Sequence, residues 1–350
     1  MKRRKTKKIM VGKVPIGGSA PISIQSMTTT DTKDVRKTVA QIKLLERQGC
    51  EIVRVTVKDK ESARALEAIQ KGITIPLVAD IHFDWRLAIE AAKYADCVRL
   101  NPGNIYKREQ VVSVIKTCKA RGIPIRIGAN SGSVKKNSKR IAGLSKGASD
   151  LVNSVLSYLK IFEKERFKNI KISLKASNVR DIVMAYRVLA KKCDYPFHVG
   201  VTASGLPFAG TIKSSIGIGA LLVDGIGDTV RVSLTSDPIN EVKVAKEILK
   251  CLNLREFGPT LIACPTCGRS EVNLIELAKK IDKVMASYTR PIEVAVMGCV
   301  VNGPGEAREA DIGIAGGKGV GVIFRKGKVV KKVKEKDLVP EFIKELERLK

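Results

Sequence analysis

The regular alternation of strand-like and helical patterns over the first two thirds of the chain most constrains its fold. Apolar runs of strand length alternate with amphipathic helical patterns eight times, which is typical of a parallel sheet with crossover helices. The strands are predicted at 21–27, 52–57, 76–81, 97–100, 123–128, 170–175, 197–202 and 229–234. The helices are predicted near 34–48, 61–70, 84–94, 107–120, 147–165, 178–190, 210–222 and 238–251. Eight βα units predict a closed (β/α)8 TIM barrel.

The pattern changes at Gly258-Pro259, which predicts a domain boundary near residue 255. Beyond it we predict a strand at 260–263, a helix at 270–287, a strand at 292–297, a glycine-rich hairpin and a final helix. The glycine-rich stretch 316–321 precedes a strand rather than a helix, so we interpret it as a turn and not as a phosphate loop. The chain is therefore predicted to be an α/β protein, with a TIM barrel over 1–255 and a small α+β domain over 256–350.

Cationic residues interrupt five of the predicted barrel strands. They are Arg54, Arg99, Arg126, Lys175 and Arg231, each among Val, Ile or Leu. Because active sites of such barrels lie at the carboxyl ends of the strands, these charges would meet at one mouth. Without an anion they would repel one another by several kcal/mol. Arginine forks suit phosphate oxygens, so the sequence predicts a site for a multiply charged anion such as a diphosphate.

Neutral polar residues follow the same strands. Asn101, Asn130, Ser131, Ser177 and Ser233 could donate hydrogen bonds to the anion, although loop Asn and Ser also commonly cap helices. Asp80, His82 and His198 are further candidates, yet a lone histidine is more often a hydrogen-bonded structural residue than a base. A barrel like that of dihydropteroate synthase, without redox chemistry, would also bind a phosphate-bearing ligand at such a mouth.

Three cysteines near the C-terminus argue for redox chemistry. Cys264 and Cys267 form a C-x-x-C turn, and Cys299 is followed by Asn-Gly-Pro-Gly-Glu306. Such a turn brings two thiolates close enough for a metal or a cluster, and a distant third can complete one face. Glu306 is a hard oxygen ligand, which suits one iron of a cluster that must exchange its ligand for substrate. A zinc or disulfide staple is the alternative.

Composition limits the remaining function classes. Lys and Arg number 64 against 35 Asp and Glu, a net charge of +29, which suits an anionic substrate, an acidic partner or nucleic acid. Aromatic residues are 4% of the chain and no nucleic-acid-binding motif is present, so we predict no nucleic-acid binding. No apolar stretch is long enough to span a bilayer. The scattered cysteines and the lack of an export pattern predict a reducing cytoplasm.

Two segments carry a resemblance to a known family. A-C-P-T-C-G-R and M-G-C-V-V-N-G-P-G-E-A resemble the cluster motifs of the 4-hydroxy-3-methylbut-2-enyl diphosphate synthases, iron–sulfur reductases of the methylerythritol phosphate route to isoprenoids. The similarity continues in I-V-R-V-T-V, A-D-I-H-F-D, V-R-L-N-P-G-N, R-I-G-A-N-S-G-S, S-L-K-A-S and G-I-G-D-T-V-R-V-S-L. It therefore covers nearly the whole chain.

The resemblance implies a function and its residues. A [4Fe–4S] cluster would be held by Cys264, Cys267, Cys299 and Glu306, in a domain resembling the sulfite/nitrite reductase module. The enzyme would reductively open and dehydrate 2-C-methyl-D-erythritol 2,4-cyclodiphosphate, with electrons from reduced ferredoxin or flavodoxin. It would be a homodimer in which each cluster caps the partner's barrel. The implied substrate-binding residues are Arg54, Arg99, Arg126, Asn130, Lys175, Arg231 and Ser233, and the implied catalytic residues are Glu306, Lys175 and Arg126.

One position departs from the family pattern. After the seventh barrel strand the family usually reads G-V-T-E-A-G, whereas this chain has Ala203 at the position of the glutamate. Alanine can neither transfer a proton nor accept a hydrogen bond through its side chain, and such a role is typically worth about 10²–10⁴-fold in rate. The alternative function is therefore a cluster-bearing relative with an altered substrate or impaired turnover.

Overall fold

The chain folds into two compact units, residues 1–255 and 256–350. The structure, a computed structural model, describes residues 2–134, 136, 139–299, 305 and 307–349. Within these ranges no helix has both the length and the apolar character needed to cross a membrane. Each unit has its own sheet and its own core.

In the described part of the first unit, eight parallel strands form the barrel. After a short hairpin of β1 (Ile9–Val11) and β2 (Val14–Ile16), the barrel strands are β3 Ser23–Met27, β4 Ile52–Val57, β5 Leu77–Ile81, β6 Cys97–Leu100, β7 Ile125–Asn130, β8 Ile170–Lys175, β9 His198–Val199 and β10 Thr229–Val230. Neighbouring strands run in the order β8-β7-β6-β5-β4-β3-β10-β9. A bridge between Ile172 and Phe197 joins the two ends of this order. The predicted TIM barrel is confirmed.

A helix follows each barrel strand. They are α1 Val35–Arg47, α2 Lys60–Lys71, α3 Trp85–Ala91, α4 Arg108–Ala120, α5 Lys146–Lys164, α6 Val179–Ala190, α7 Pro207–Val223 and α8 Pro238–Cys251. Several begin where a short polar side chain accepts a hydrogen bond from the first turn, as Asp34 does for α1 and Asp59 for α2. Pro207 starts α7 three residues before the predicted position, because proline suits the first helical turn, where its missing N–H costs nothing.

Two features of the barrel were not predicted. The β1–β2 hairpin packs Ile9, Val11 and Ile16 against Ile52 and other strand residues, which makes an apolar layer at the end where the strands begin. The predicted seventh and eighth strands were too long, since β9 and β10 each keep only two residues in the ladder. Past that point Gly200 approaches the backbone of Arg231 so closely that a Cβ would collide with its carbonyl oxygen.

The second unit is a mixed five-stranded sheet in its described part. Its elements are β11 Thr260–Ala263, α9 Leu274–Met285, β12 Glu293–Met297, β13 Ile312–Gly317, β14 Val320–Arg325, β15 Lys328–Lys334, a 3-10 turn Glu335–Asp337 and α10 Leu338–Glu347. Strands β11, β12 and β13 are parallel, and β14 and β15 continue the sheet in antiparallel pairing. One core joins side chains of α9 and α10, such as Ile281 and Phe342, to the strands.

The glycine-rich stretch lies in this sheet as predicted. Lys318 and Gly319 form a two-residue turn between β13 and β14, with Gly317 paired to Val320 across it. Gly319 has φ +71°, a value that favours glycine in hairpin turns. The interpretation as a turn rather than a phosphate loop is confirmed.

Candidate active site

Four of the five predicted cations lie on barrel strands, and the fifth, Arg231, directly follows β10. Arg126 is fully buried, Arg54, Arg99 and Lys175 are less than a tenth exposed, and Arg231 is half-buried. Arg99 is paired with Arg126 across β6 and β7, and Asn130 with Lys175 across β7 and β8. Residues paired across parallel strands point to the same side of the sheet. The barrel therefore brings the side chains of this set together in its interior.

Two buried carboxylates hold three of the arginines. Arg99 donates through Nη1 to Asp80 Oδ1 at 2.9 Å, and Arg54 Nε lies 3.4 Å from Asp80 Oδ2. Arg231 Nη2 lies 3.5 Å from Glu241 Oε2. The neighbouring arginines keep the pKa of Asp80 below its ordinary value although burial opposes them. Asp80 and Glu241 thus fix the arginine side chains in place and offset part of their charge.

Arg126 and Lys175 form no ion pair within the described residues. Arg126 also has no hydrogen-bond partner there for Nε and Nη1. Burial, followed by the charge of Arg99, lowers the pKa of Arg126 to about 10. Burial and then four arginines lower the pKa of Lys175 well below its ordinary value. A buried cation without a partner is costly, so this interior is prepared for an anion.

Sequence reasoning missed two members of this interior, Glu241 and Lys171. Glu241 shares the buried face of α8 with Pro238, Val242 and Ala245, and a carboxylate on that face of a crossover helix could have been noticed. Lys171 is fully buried and paired with Arg126 across β7 and β8. Its signal was the alternation in I-K-I-S-L-K, which places Lys171 and Lys175 on the same face of the strand.

The two histidines occupy different positions. His198 is fully buried, with Nδ1 3.4 Å from Thr229 Oγ1 and with Nε2 lacking a partner in the described part of the chain. Burial and then Arg126 lower the pKa of His198 well below its ordinary value, which favours the neutral imidazole. His82 is half-buried just after β5. The roles predicted for these residues stay predictions.

The predicted neutral donors have differing surroundings. Asn101 is engaged at both ends, donating through Nδ2 to Ser133 Oγ at 2.9 Å and accepting at Oδ1 from Gly103 N at 3.1 Å. Asn130 accepts at Oδ1 from Gly132 N at 3.2 Å, which fixes the side chain beside Lys175. Ser233 is half-buried two residues beyond Arg231. Asn101 is therefore mainly a loop-forming residue, whereas Asn130 and Ser233 remain candidate donors.

Ala203 lies in the loop between β9 and α7 and is exposed. Its φ of +50° is in the left-handed region, which is costly for a residue with a Cβ. Ser204 beside it is buried, and its hydroxyl is within 3.5 Å of the carbonyl oxygen of Val201. The loop thus holds a strained backbone where the family pattern has a carboxylate.

Two of the predicted cluster cysteines follow adjacent parallel strands of the second unit. Cys264 follows β11 directly, and Cys299 lies two residues beyond β12. The N–H of Gly298 donates to the sulfur of Cys264 at 3.3 Å, and the N–H of Glu271 donates to the carbonyl of Gly298 at 3.0 Å. Because carboxyl ends of parallel strands meet at one edge of a sheet, Cys264 and Cys299 lie at the same edge.

Cys267 lies in the loop between β11 and α9 and is exposed. The backbone N–H of Arg269, and then its side chain, lower the pKa of the Cys267 thiol. A thiol that ionises more readily is a better metal ligand and a better nucleophile. The fourth predicted ligand, Glu306, lies outside the described residues.

The positions of the three cysteines bear on which metal group they could hold. All three are free thiols, and among the described residues no group of three or more His, Cys, Asp or Glu side chains is placed to hold one metal ion. A single ion would draw thiolate sulfurs to within about 2.3 Å of itself, whereas a cluster takes each thiolate on a separate iron. Thiols from two strand ends and the loop between them fit the second arrangement.

Comparisons with known proteins cover both units. Residues 6–246 match the family model described as GcpE TIM-barrel domain, and residues 260–348 match the GcpE protein C-terminal domain. The chain is 55% identical over 351 residues to the 4-hydroxy-3-methylbut-2-en-1-yl diphosphate synthase (flavodoxin) of Clostridium perfringens, with 100% of both chains covered. It is 53% identical to the protein of the same name from Maridesulfovibrio salexigens, with 99% of this chain and 97% of the relative covered.

Solved structures are similar at the level of the fold. Dihydropteroate synthase from Stenotrophomonas maltophilia has a TM-score of 0.52 at 13% identity, covering 71% of this chain and 98% of that one. A truncated 3-deoxy-D-arabino-heptulosonate 7-phosphate synthase from Thermotoga maritima has a TM-score of 0.50 at 12% identity, covering 71% and 91%. At such identity these likenesses concern the barrel architecture alone.

Proposed function

The chain belongs to the GcpE family, and we propose that its barrel interior binds the diphosphate of the substrate while its cysteines hold the redox cofactor. It is an oxidoreductase of non-mevalonate isoprenoid synthesis. It converts 2-C-methyl-D-erythritol 2,4-cyclodiphosphate into (E)-4-hydroxy-3-methylbut-2-enyl diphosphate. Full-length identity above half does not favour the alternative of a relative with an altered substrate.

The proposal of a substrate site rests on the excess of positive charge inside the barrel. Arg54, Arg99, Arg126, Lys175 and Arg231 face two buried carboxylates, Asp80 and Glu241, within the described residues. An excess of buried cations is stable only with an anion or with altered protonation. The cyclic diphosphate supplies that anion. Asn130 and Ser233 add neutral hydrogen-bond donors at its edge.

The same residues act during the reaction. As the ring opens, negative charge grows on the diphosphate that leaves carbon, and cations already in position stabilise that charge without reorganising. Asp80 and Glu241 hold the arginines in position beforehand. Arg126 and Lys175, which have no ion-pair partner in the described part of the chain, are the residues free to bind the diphosphate most strongly. We assign them the main electrostatic role in catalysis.

Cys264, Cys267, Cys299 and Glu306 would hold a [4Fe–4S] cluster in the second unit. When bound, it supplies the single-electron transfers that the two-electron reduction requires. Three thiolates leave one iron to the carboxylate of Glu306, an oxygen ligand that is easily replaced on a soft metal group. The lowered pKa of Cys267 favours the thiolate form that a cluster needs.

The names of the relatives and the net charge of the chain indicate the electron donor. The curated relatives carry flavodoxin in their name, and reduced flavodoxin is the donor we propose, with ferredoxin as the other candidate. The net charge of +29 attracts an acidic partner protein and speeds its association. We place the protein in the cytoplasm, where thiols are kept reduced, as the cluster cysteines require.

The proposed function is tested by anaerobic purification and assay. We expect about four irons and four sulfides per chain and consumption of the cyclic diphosphate with reduced flavodoxin, ferredoxin or dithionite. Stoichiometric zinc with no iron would overturn the assignment of the cysteines. Iron and sulfide without consumption of this substrate would overturn the assignment of the barrel.

We also propose that the chain forms a homodimer in which the cluster of one copy serves the barrel of the other. An apolar stripe on α7 supports association: Phe208, Ile212, Ile216 and Val223 are exposed at helical spacing. Exposed apolar patches of this kind commonly mark interfaces between protein chains. A second copy of this chain is the occupant that the proposed trans arrangement requires.

Mixing two inactive variants tests that arrangement. If Arg126→Gln and Cys267→Ser chains are co-expressed in equal amounts, half of the dimers are mixed, and one of their two sites combines an intact barrel with an intact cluster. We therefore expect about a quarter of the wild-type activity per chain, measured on the whole purified mixture without separating the mixed dimers. Each variant expressed alone is the control. Activity no higher than that of the single variants would show that each chain uses its own cluster.

Restoring the family carboxylate is a separate test. We expect Ala203→Glu to raise kcat by up to about 10²-fold, because the new side chain extends from an exposed loop next to the barrel mouth and can hydrogen-bond a substrate hydroxyl or transfer a proton. Ala203→Gln is the matched control, since it can hydrogen-bond but cannot donate a proton as an acid. An unchanged or lower rate would show that the site has been rebuilt around alanine.

A further inference from the structure

Lys171 is a buried cation that the proposed function leaves unexplained. It lies near the start of β8 and is fully buried. Its Nζ has no hydrogen-bond partner among the residues that the structure describes. Most buried polar groups in proteins do have a partner, so a lysine of this kind requires an explanation.

The position of Lys171 places it within the field of the anion pocket. It is paired with Arg126 across β7 and β8 and therefore points to the same interior side. Lys175, two positions further on that face of β8, also points inward. Lys171 thus lies beside Arg126 and nearer the start of β8 than Lys175, and acts on the ligand through charge rather than contact.

The groups around Lys171 do little to neutralise the positive charge of its ammonium group. Arg54, Arg126, Lys175 and His198 face the same interior from β4, β7, β8 and β9, and Cys97 faces it from β6. Burial raises the pKa of the Cys97 thiol, so this neighbour is neutral. The carboxylates of Asp80 and Glu241 are already engaged by arginines.

At the other end of the barrel the amino group of Lys171 cannot reach water. The apolar layer of Ile9, Val11 and Ile16 packs against Ile52, Val78 and Cys97 at the end where the strands begin. A lysine head group can leave a core only by extending along its stem to solvent, and full burial shows that this does not happen here. The remaining way to relieve the cost of the charge is to lose the proton.

We propose that Lys171 is a proton-exchanging residue of the anion pocket, which releases its proton in the empty barrel at mildly alkaline pH and regains it when diphosphate binds. The inference rests on the proposed anion pocket. Burial, and then the charges of Arg126 and Arg54, lower the pKa of Lys171 to about 8, against the opposing effect of Cys97. A bound diphosphate adds negative charge nearby, which favours the ammonium form.

This arrangement determines that binding of the diphosphate takes up protons and does not release them. The ligand raises the pKa of Lys171, so binding takes up protons in the range above about pH 8. The ring phosphates of the cyclodiphosphate each carry a single acidic proton of low pKa, and so they neither take up nor release protons there. His198 does not contribute either, because even its ordinary pKa of 6.5 is below this range. Lys175 does contribute, since its pKa is also lowered.

The experiment is calorimetric titration of the oxidised, cluster-containing enzyme with the cyclic diphosphate at pH 8.5. Without a reductant there is no turnover, and buffers of different protonation enthalpy yield the number of protons taken up per ligand. We expect at least about 0.5 proton in the wild type. Lys171→Met, which keeps the length and removes the charge, lowers that number by about 0.5. The exposed Lys168→Met, just before β8, is the matched control and leaves it unchanged.

The outcomes separate this inference from the proposed site. Equal proton uptake by the wild type and Lys171→Met, or no uptake in the wild type, overturns the inference while leaving the binding site intact. Failure of the wild type to bind the cyclic diphosphate overturns the proposed site itself. Lys171→Gln, which keeps a polar side chain of similar reach, repeats the measurement if the methionine variant does not fold. A purely structural lysine would alter stability or affinity without altering the proton count.

Discussion

Cys267→Ser is expected to abolish reduction of the cyclic diphosphate, lowering kcat by at least about 10³-fold. Serine keeps the size of the side chain, but its hydroxyl stays protonated and binds iron poorly compared with a thiolate. The position is exposed in a loop of the second unit, so the fold should tolerate the change. The measurement is turnover under anaerobic conditions, together with iron content and visible absorption.

A matched control is available for this cysteine. Cys251 is also a free, exposed thiol, at the last residue of α8 in the barrel unit, and Cys251→Ser should keep full iron content and full activity. If Cys267→Ser retains both its iron and its turnover, the assignment of the C-x-x-C turn to the cluster is wrong. Equal losses in the two variants would point instead to general thiol damage.

Arg126→Gln should have the second largest effect, a loss of about 10³–10⁵ in kcat/KM. Arg126 is fully buried and has no ion-pair partner among the described residues, so its charge is available to a ligand. The same substitution removes an uncompensated buried cation, and we expect the substrate-free variant to unfold at a higher temperature than the wild type. Activity and stability would thus change in opposite directions.

That opposition distinguishes a binding role from a structural one. If Arg126 mainly held the barrel together, Arg126→Gln would lower both the unfolding temperature and the activity. The control is Arg187→Gln, which breaks an exposed 2.7 Å ion pair with Asp224 on the outside of the barrel. Such a pair contributes about 0–1 kcal/mol, and kcat/KM should not change. Retention of activity within tenfold in Arg126→Gln would contradict the proposed site.

Local patterns identified the barrel because its elements depend on local periodicity. The predicted and observed bounds of β4, β6 and β8 coincide, and those of α8 as well. The sequence pattern gave wrong or missing elements where tertiary packing determines whether a strand forms and where it ends. The β1–β2 hairpin is short and forms against strand residues remote in sequence, and β9 and β10 end early where two backbones approach at Gly200 and Arg231.

In the candidate site, too, some features were visible in the local sequence and others depend on tertiary packing. A charged residue inside an apolar strand is visible in the sequence, so all five cations were found. Glu241 was not found, because it reaches Arg231 from a helix. Asp80 was a candidate, but its pairing with two arginines of different strands was not predicted. Lys171 was missed although its alternation with Lys175 was visible in the sequence. Only the structure shows that the side chain is fully buried and that its amino group does not reach solvent.

The order of residues alone determined which elements form, which side chains carry charge and which thiols are available, because periodicity, turn chemistry and motif spacing act over a few residues. Tertiary structure alone decided which carboxylates pair with which arginines and which cations stay without a partner. It also decided how far the pKa of a buried group moves. Those properties depend on burial and on distances between strands far apart in the chain, and only the closed barrel sets them.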